Sequence, residues 1–475
     1  MVLEEKCTGQ RTDQRVSGDI ARYLSQLVTK VWNLVQDFLR GWCHQEESRF
    51  ISYKASFAKL LHTFAMALFL LPIVPVHLWA QVSSRNEQIE EARREKASHL
   101  YPEGSSKTER TLLYVQEHEV LERITSGIAG FRVKLGGLVS GGGFALGPEY
   151  LRRDLLKGNL VFRTAAQASA KEYQRYDLQV TAPHFARKKL FFDFFSVHHN
   201  YPGISYYGPG PRSRRNLRTD FRLEDTAIDG ALGLQPVPHF RLGASGGYLF
   251  VNVGPGGDLR FQSSDQVFTP AEAPGIDLQT DFVRYGAFAQ IDYRDRPGGP
   301  RRGGNYVARF DRYVDQRLGL HCFERLNVEL EQYIPFFNER RVIALRAKTL
   351  LTNPQAGNTV PFYLQPVLGG SEDLRGFRSF RFYDNNLLVV NGEYRWEVFA
   401  GLDMALFADG GKVFPRRSQL NLHGLEGDGG IGWRFNVSSN VFLRIDLAFS
   451  REGTQIWLKF NNVFGSRIGR SSNYE

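Results

Sequence analysis

The sequence predicts an all-β protein: a 16-stranded antiparallel transmembrane β-barrel with a long outer loop folded inward. Three observations carry that prediction. Polar and apolar residues alternate with period two through most of residues 122–464, and successive side chains of a strand point to opposite faces. The alternating segments are about 10–20 residues long, against ~5–6 for strands of globular proteins. Short turns such as Pro236-Val237-Pro238 and Phe337-Asn338-Glu339 alternate with long connections such as 254–278 and 352–384, an asymmetry typical of outer-membrane barrels.

The N-terminal part reads differently. Only Gly9, Gly18 and Gly41 of the 47 glycines precede residue 103. Ile20, Tyr23, Leu24, Leu27, Val28, Val31, Trp32, Val35, Phe38 and Leu39 recur at helical spacing. Residues 64–79 are apolar, follow Lys54 and Lys59, and are followed by Ala80 and a polar stretch. That is the layout of a secretory signal peptide, and two prolines make it a poor membrane helix, which needs ~20 residues. Residues 1–80 are therefore read as an N-terminal extension plus signal peptide, the extension explained by a start codon assigned too early. Residues 81–121 are charged and polar and read as a linker. Removal of the signal would leave Cys322 alone among Cys7, Cys43 and Cys322. No intrachain disulfide and no cysteine-based zinc site is then expected.

The predicted strands are 124–136, 141–152, 158–170, 171–184, 188–199, 214–235, 239–253, 279–293, 303–314, 321–334, 340–351, 386–399, 401–413, 427–437, 440–450 and 453–464. Leu388, Val390, Tyr394, Trp396 and Val398 share one face, with Asn391, Glu393, Arg395 and Glu397 on the other. The last strands repeat this: Leu443, Ile445 and Leu447 alternate with Arg444, Asp446 and Ala448. Further upstream, Leu326, Val328 and Leu330 alternate with Arg325, Asn327, Glu329 and Glu331, and Leu217, Phe221 and Leu223 with Arg218, Asp220, Arg222 and Glu224. An apolar face for lipid and a charged face for a wet lumen is the expected arrangement. Glycines at 136, 137, 141, 142 and 143 interrupt the first two strands.

Composition agrees with this reading and excludes others. At 42% hydrophobic, with no recurring apolar run of membrane-helix length, the chain is no polytopic helical protein. At 13% aromatic it is too rich in packing residues to be disordered throughout. The net charge of +10 comes from Lys and Arg interleaved with Asp and Glu, with no dense basic block, so no nucleic-acid partner is expected.

One loop carries a motif. Leu374-Arg375-Gly376-Phe377 follows Val367-Leu368-Gly369-Gly370-Ser371-Glu372-Asp373, and Arg381-Phe382-Tyr383-Asp384 comes after it. Further on stand Gly392-Glu393-Tyr394-Arg395-Trp396 and Leu406-Phe407-Ala408-Asp409-Gly410-Gly411-Lys412-Val413. With these residues the chain resembles the bacterial surface antigen family, the barrel-assembly superfamily of BamA, TamA and the two-partner secretion transporters. The resemblance covers most of residues 122–464, the barrel domain only, without the periplasmic substrate-binding domains usual in the family. It implies that the signature loop folds into the barrel and that Arg375 pairs with a wall carboxylate. The alternation puts Asp409 and Glu393 on the inward face, so Asp409 is the expected partner and Glu393 the second choice. The resemblance also implies a closing-strand signal, matched by Trp457, Phe460 and Phe464, with 465–475 as a C-terminal tail beyond it.

No catalytic residues, cofactors or metal ligands are expected. Gly243-Ala244-Ser245-Gly246-Gly247 has the spacing of a hydrolase elbow but sits inside an alternating strand with no helix after it. Gly254-Pro255-Gly256-Gly257 lacks the Gly-Lys-Ser of a phosphate loop. His198, His199, His239 and His321 lack ligand spacing. The resemblance implies a bacterial outer-membrane protein that assists insertion or translocation of other polypeptides. Its partners would be membrane lipid, unfolded or barrel substrates, and a separate periplasmic protein. A weak seam between the first and last strands would serve as the template. A passive or loop-gated pore is the competing expectation.

Overall fold

The computed structural model describes residues 129–460 except 140, 186–188, 400 and 438–439. The expected extension, signal, linker, Phe464 and C-terminal tail lie outside the described residues. The strands are β1 (Phe131–Gly137), β2 (Phe144–Leu155), β3 (Leu160–Ser169), β4 (Gln174–Phe185), β5 (Leu190–Tyr206), β6 (Thr219–Val237), β7 (Phe240–Pro255), β8 (Phe282–Asp292) and β9 (Gly303–Asp315). They continue with β10 (Phe323–Phe336), β11 (Arg341–Pro354), β12 (Val367–Leu368), β13 (Phe382–Tyr383), β14 (Asn386–Phe399), β15 (Leu402–Phe414), β16 (Glu426–Val437), β17 (Asn440–Ser450) and β18 (Gly453–Lys459). Sixteen of these form one sheet in strict chain order, an antiparallel meander that makes a nearly closed barrel; β12 and β13 pair separately.

Burial follows the alternation. On β14, Asn391, Glu393 and Arg395 are buried, whereas Val390 and Val398 are exposed. On β18, Ile456 and Leu458 are 72% and 54% exposed. A soluble protein would not leave such an apolar face bare; in a bilayer it is the face that lipid covers. The charged face is the inner one, and its charges neutralise one another. Glu149 bridges Arg132 and Arg163, Arg163 reaches Asp177 at 2.6 Å, and Arg284 grips Asp229 at 2.8 Å. Away from water an unpaired charge is costly, so wall ions come in opposed sets.

Four local expectations need correction. On β6 the outer end reverses polarity: Phe221 and Leu223 are buried, while Arg222 is exposed. There the apolar side chains pack with Tyr206 of β5 and with Phe268 and Phe362 of the long connections, which gives that face of β6 apolar neighbours. The predicted strand start at 214 is also too early, because 214–218 belong to the preceding loop. Conversely, β5 continues past 199 to Tyr206, because a register shift between Tyr201 and Ile204 accommodates Pro202, which has no N–H for the ladder. Finally, the buried Cys322 is disulfide-bonded, against the expectation of no intrachain disulfide.

The four longest connections, 207–218, 256–281, 355–385 and 415–425, emerge at one end of the meander. The opposite end carries tight turns, such as Phe337, Asn338 and Glu339, all in the left-handed region. Ser245 lies within β7, paired with Gly286 of β8, so the elbow spacing belongs to a wall strand.

Candidate functional site

The signature loop spans 355–385 between β11 and β14. Its base is the hairpin of β12 and β13, with Val367 opposite Tyr383 and Leu368 opposite Phe382. Gly369 and Gly370, at φ +110° and +116°, turn the chain out of β12 into the tip, a backbone shape that a side chain would strain. The Gly370 N–H then donates to the Leu374 carbonyl at 3.1 Å, closing a compact turn that presents Arg375. Leu368, Leu374, Phe377 and Phe382 are buried against Leu387, Val389 and Val413 of β14 and β15. Apolar anchors therefore hold the loop, and the arginine is carried between them.

Arg375 is fully buried. Its Nε and Nη2 donate to the two Asp409 oxygens at 2.7 and 2.8 Å, and Nη1 donates to Glu393. The guanidinium lies 3.5 Å from the Phe407 ring centroid. Burial alone would lower its pKa, but Asp409 and Glu393 outweigh burial and raise it well above the usual value, so the cation persists. The planar fork matches a carboxylate on one edge and stacks on an aromatic face, which an ammonium would not do.

The surroundings extend this grip. Glu393 also receives Arg395 Nε at 2.6 Å and Arg434 Nη2 at 3.0 Å, and Arg434 reaches Asp446 at 2.6 Å. Asn391 donates to Asp409 at 2.8 Å and to the Asp373 carbonyl at 2.7 Å. Arg346 of β11 donates to the Glu372 carbonyl and to Asp373, at 2.8 and 3.1 Å. Burial would raise the Asp373 carboxyl, yet Lys348 and Arg346 hold it below the usual carboxylate range. From the closing side, Trp457 donates to the Arg375 carbonyl at 2.6 Å, Ser450 to the Gly376 carbonyl at 2.6 Å, and Arg444 to the Ser371 carbonyl at 3.0 Å. Gly376 has no room for a side chain: a Cβ there would sit 2.5 Å from the Asp428 Cβ.

The structure thus brings together Leu374, Arg375, Gly376, Phe377, Asp409, Glu393 and Trp457. Phe460 is elsewhere, beside Phe144 and Phe442, with ring centroids 6.0 and 5.6 Å away. The inward positions of Arg395, Arg434, Arg444 and Asp446 were legible from alternation, but their convergence on one carboxylate and one loop was not. Asn391 and Phe407 share the inward faces of Glu393 and Asp409, but nothing in a one-dimensional pattern links them, or Arg346, to residues 372–375. His198 and His199 bond Thr226 and Asp225 across the β5–β6 ladder, as wall residues.

An Omp85 superfamily domain matches residues 155–461. Among solved structures, BamA from Haemophilus ducreyi lacking POTRA domains 1–3 aligns with a TM-score of 0.52 and 14% identity, covering 70% of this chain and 69% of that one. CdiB from Escherichia coli aligns with a TM-score of 0.48 and 12% identity, over 70% of this chain and 62% of that one. At such identities the likeness concerns the fold. No curated protein matches the sequence.

Proposed function

The chain belongs to the Omp85 superfamily of non-enzymatic outer-membrane barrels, and from that premise we propose that it assists insertion or translocation of other polypeptides through a seam between β1 and β18. The supporting observation is the state of those two strands. Each has seven residues, and among the described residues no ladder pairs one with the other. The side chain of Phe460 stands at the seam, against Gly136 and Phe144. Gly136 has a φ of +141°, outside strand geometry, and so shortens the ladder that β1 could offer. An unpaired strand edge presents free N–H and C=O groups, which template an incoming strand.

The substrates are unfolded polypeptides, lipid surrounds the apolar face, and a separate periplasmic protein would be a partner. The signature loop, gripped by Asp409 and Glu393, braces the wall while the seam opens. The competing function is a passive or loop-gated pore, in which the same loop blocks the lumen.

A disulfide across the seam tests this. A Cβ on Gly136 would lie 3.9 Å from the Phe460 Cβ, within the ~3.5–4.5 Å that a disulfide requires. Gly136→Cys with Phe460→Cys should lose acceleration of barrel folding into liposomes when oxidised and regain it on reduction. Full activity of the oxidised form sinks the seam. Ion conductance with no insertion activity in either state favours the pore.

A further inference from the structure

We propose that a cleft on the long-loop end, away from the signature contact, binds a phosphate-bearing anion. The cleft has a volume of about 590 Å³ and lies between the 207–218 connection, the base of the signature loop and the β17–β18 turn. Arg212, Arg214, Arg215, Arg381 and Arg451 line it, and Pro211 is its one apolar wall. Two carboxylates face these five cations, and both are already engaged. Glu426 takes both ends of the Arg451 fork at 2.6 and 2.8 Å, and Glu452 takes Arg381 Nε at 2.8 Å. Arg212 and Arg214 are exposed and have no acidic partner among the described residues. The cleft therefore keeps excess positive charge.

Its frame is fixed rather than floppy. Arg381 donates to the Ser213 hydroxyl and carbonyl, each at 2.8 Å, and Arg215 donates to the Glu452 carbonyl at 2.6 Å. The Gly210 N–H meets the Tyr383 carbonyl at 2.7 Å, so the arginine-bearing loop is tied to the β12–β13 hairpin. Like charges held this close repel, and a rigid frame keeps them from relaxing apart; an anion relieves that repulsion. The uncommitted forks of Arg212 and Arg214, held beside three committed cations, suit a phosphomonoester, which offers three acceptor oxygens and up to two charges. A single carboxylate would satisfy one fork. The cleft opens beside the turn into edge strand β18, so a lipid headgroup could reach it laterally and a soluble phosphate ester from the aqueous side. This site does not depend on whether the barrel inserts polypeptides.

The test uses the full-length protein in detergent. Calorimetric titration with inorganic phosphate is paired with native mass spectrometry in phosphatidic acid or in diacylglycerol, the same lipid without its phosphate. Wild type should bind phosphate and retain phosphatidic acid over diacylglycerol. Arg212→Gln with Arg214→Gln should weaken both roughly tenfold or more with an unchanged thermal midpoint, and Arg340→Gln at the opposite end should change neither. Phosphate binding without phosphatidic acid preference would assign the cleft to soluble phosphate esters and still support it. No phosphate binding and no lipid preference in wild type, equal binding by the double variant, or equal loss in Arg340→Gln would overturn it.

Discussion

Arg375 and Asp409 share a two-pronged contact, Nε to Oδ2 at 2.7 Å and Nη2 to Oδ1 at 2.8 Å, with neither side chain exposed to solvent. The arginine belongs to a loop and the aspartate to wall strand β15, so this contact ties the loop to the barrel. Removing one partner of a buried ion pair leaves the other uncompensated, at a cost of about 3–5 kcal/mol. Arg375→Ala and Asp409→Ala should each lower the thermal midpoint strongly in detergent. Their effects should be non-additive, with the double variant little worse than either single one. Additive losses would mean that the two side chains act independently.

Glu393 is the second acceptor, shared by Arg375, Arg395 and Arg434. Glu393→Gln keeps the shape and removes the charge that three guanidiniums face. It should destabilise more than Asp403→Asn, whose partner Arg301 is 22% exposed and can be solvated when left alone. Equal midpoints for the two variants would refute a central role for Glu393.

Gly376 faces the Asp428 and Ser450 Cβ atoms, 2.5 and 2.8 Å from where its own Cβ would be. Both neighbours are anchored in wall strands, so Gly376→Ala should push the loop tip off the wall. The expected readout is protease cleavage within 371–380 in folded protein that wild type resists. Resistance equal to wild type would show that the wall yields instead.

Asp384 closes the loop, and burial pushes its carboxyl up to about 6. A raised folded-state pKa means the native state holds this proton more tightly than the unfolded one. The associated stability is present below about pH 4 and is lost as pH rises through about 6. Asp384→Asn keeps an acceptor for the Asn385 N–H and abolishes the charge. It should raise the thermal midpoint at pH 8 and have little effect at pH 4. A gain of the same size at both pH values would exclude the carboxyl as its cause.

Much of the fold was legible because a barrel wall is a one-dimensional code. Period-two alternation identifies strands, their number and the face each residue takes, since pleating sends neighbours to opposite sides regardless of context. It failed at Phe221 and Leu223, where loop residues such as Phe268 and Phe362 pack on β6 and give its buried face apolar neighbours, and alternation within one strand does not show where distant loops will pack. It also failed at Pro202, where a bulge let β5 run on through a residue that ordinarily ends a strand.

By itself, then, the sequence determined the sixteen-strand meander, its apolar exterior and its charged interior, and it singled out Arg375 by its motif. Only the tertiary structure decided that Arg375 reaches Asp409 and Glu393 at once, that Trp457 of β18 holds its carbonyl, and that five arginines meet beside the β17–β18 turn. The reason is the range of the forces. Strand pairing and side-chain alternation act between sequence neighbours and adjacent ladders, whereas these contacts join residues up to 237 positions apart, and only the path of the loops through space brings them together.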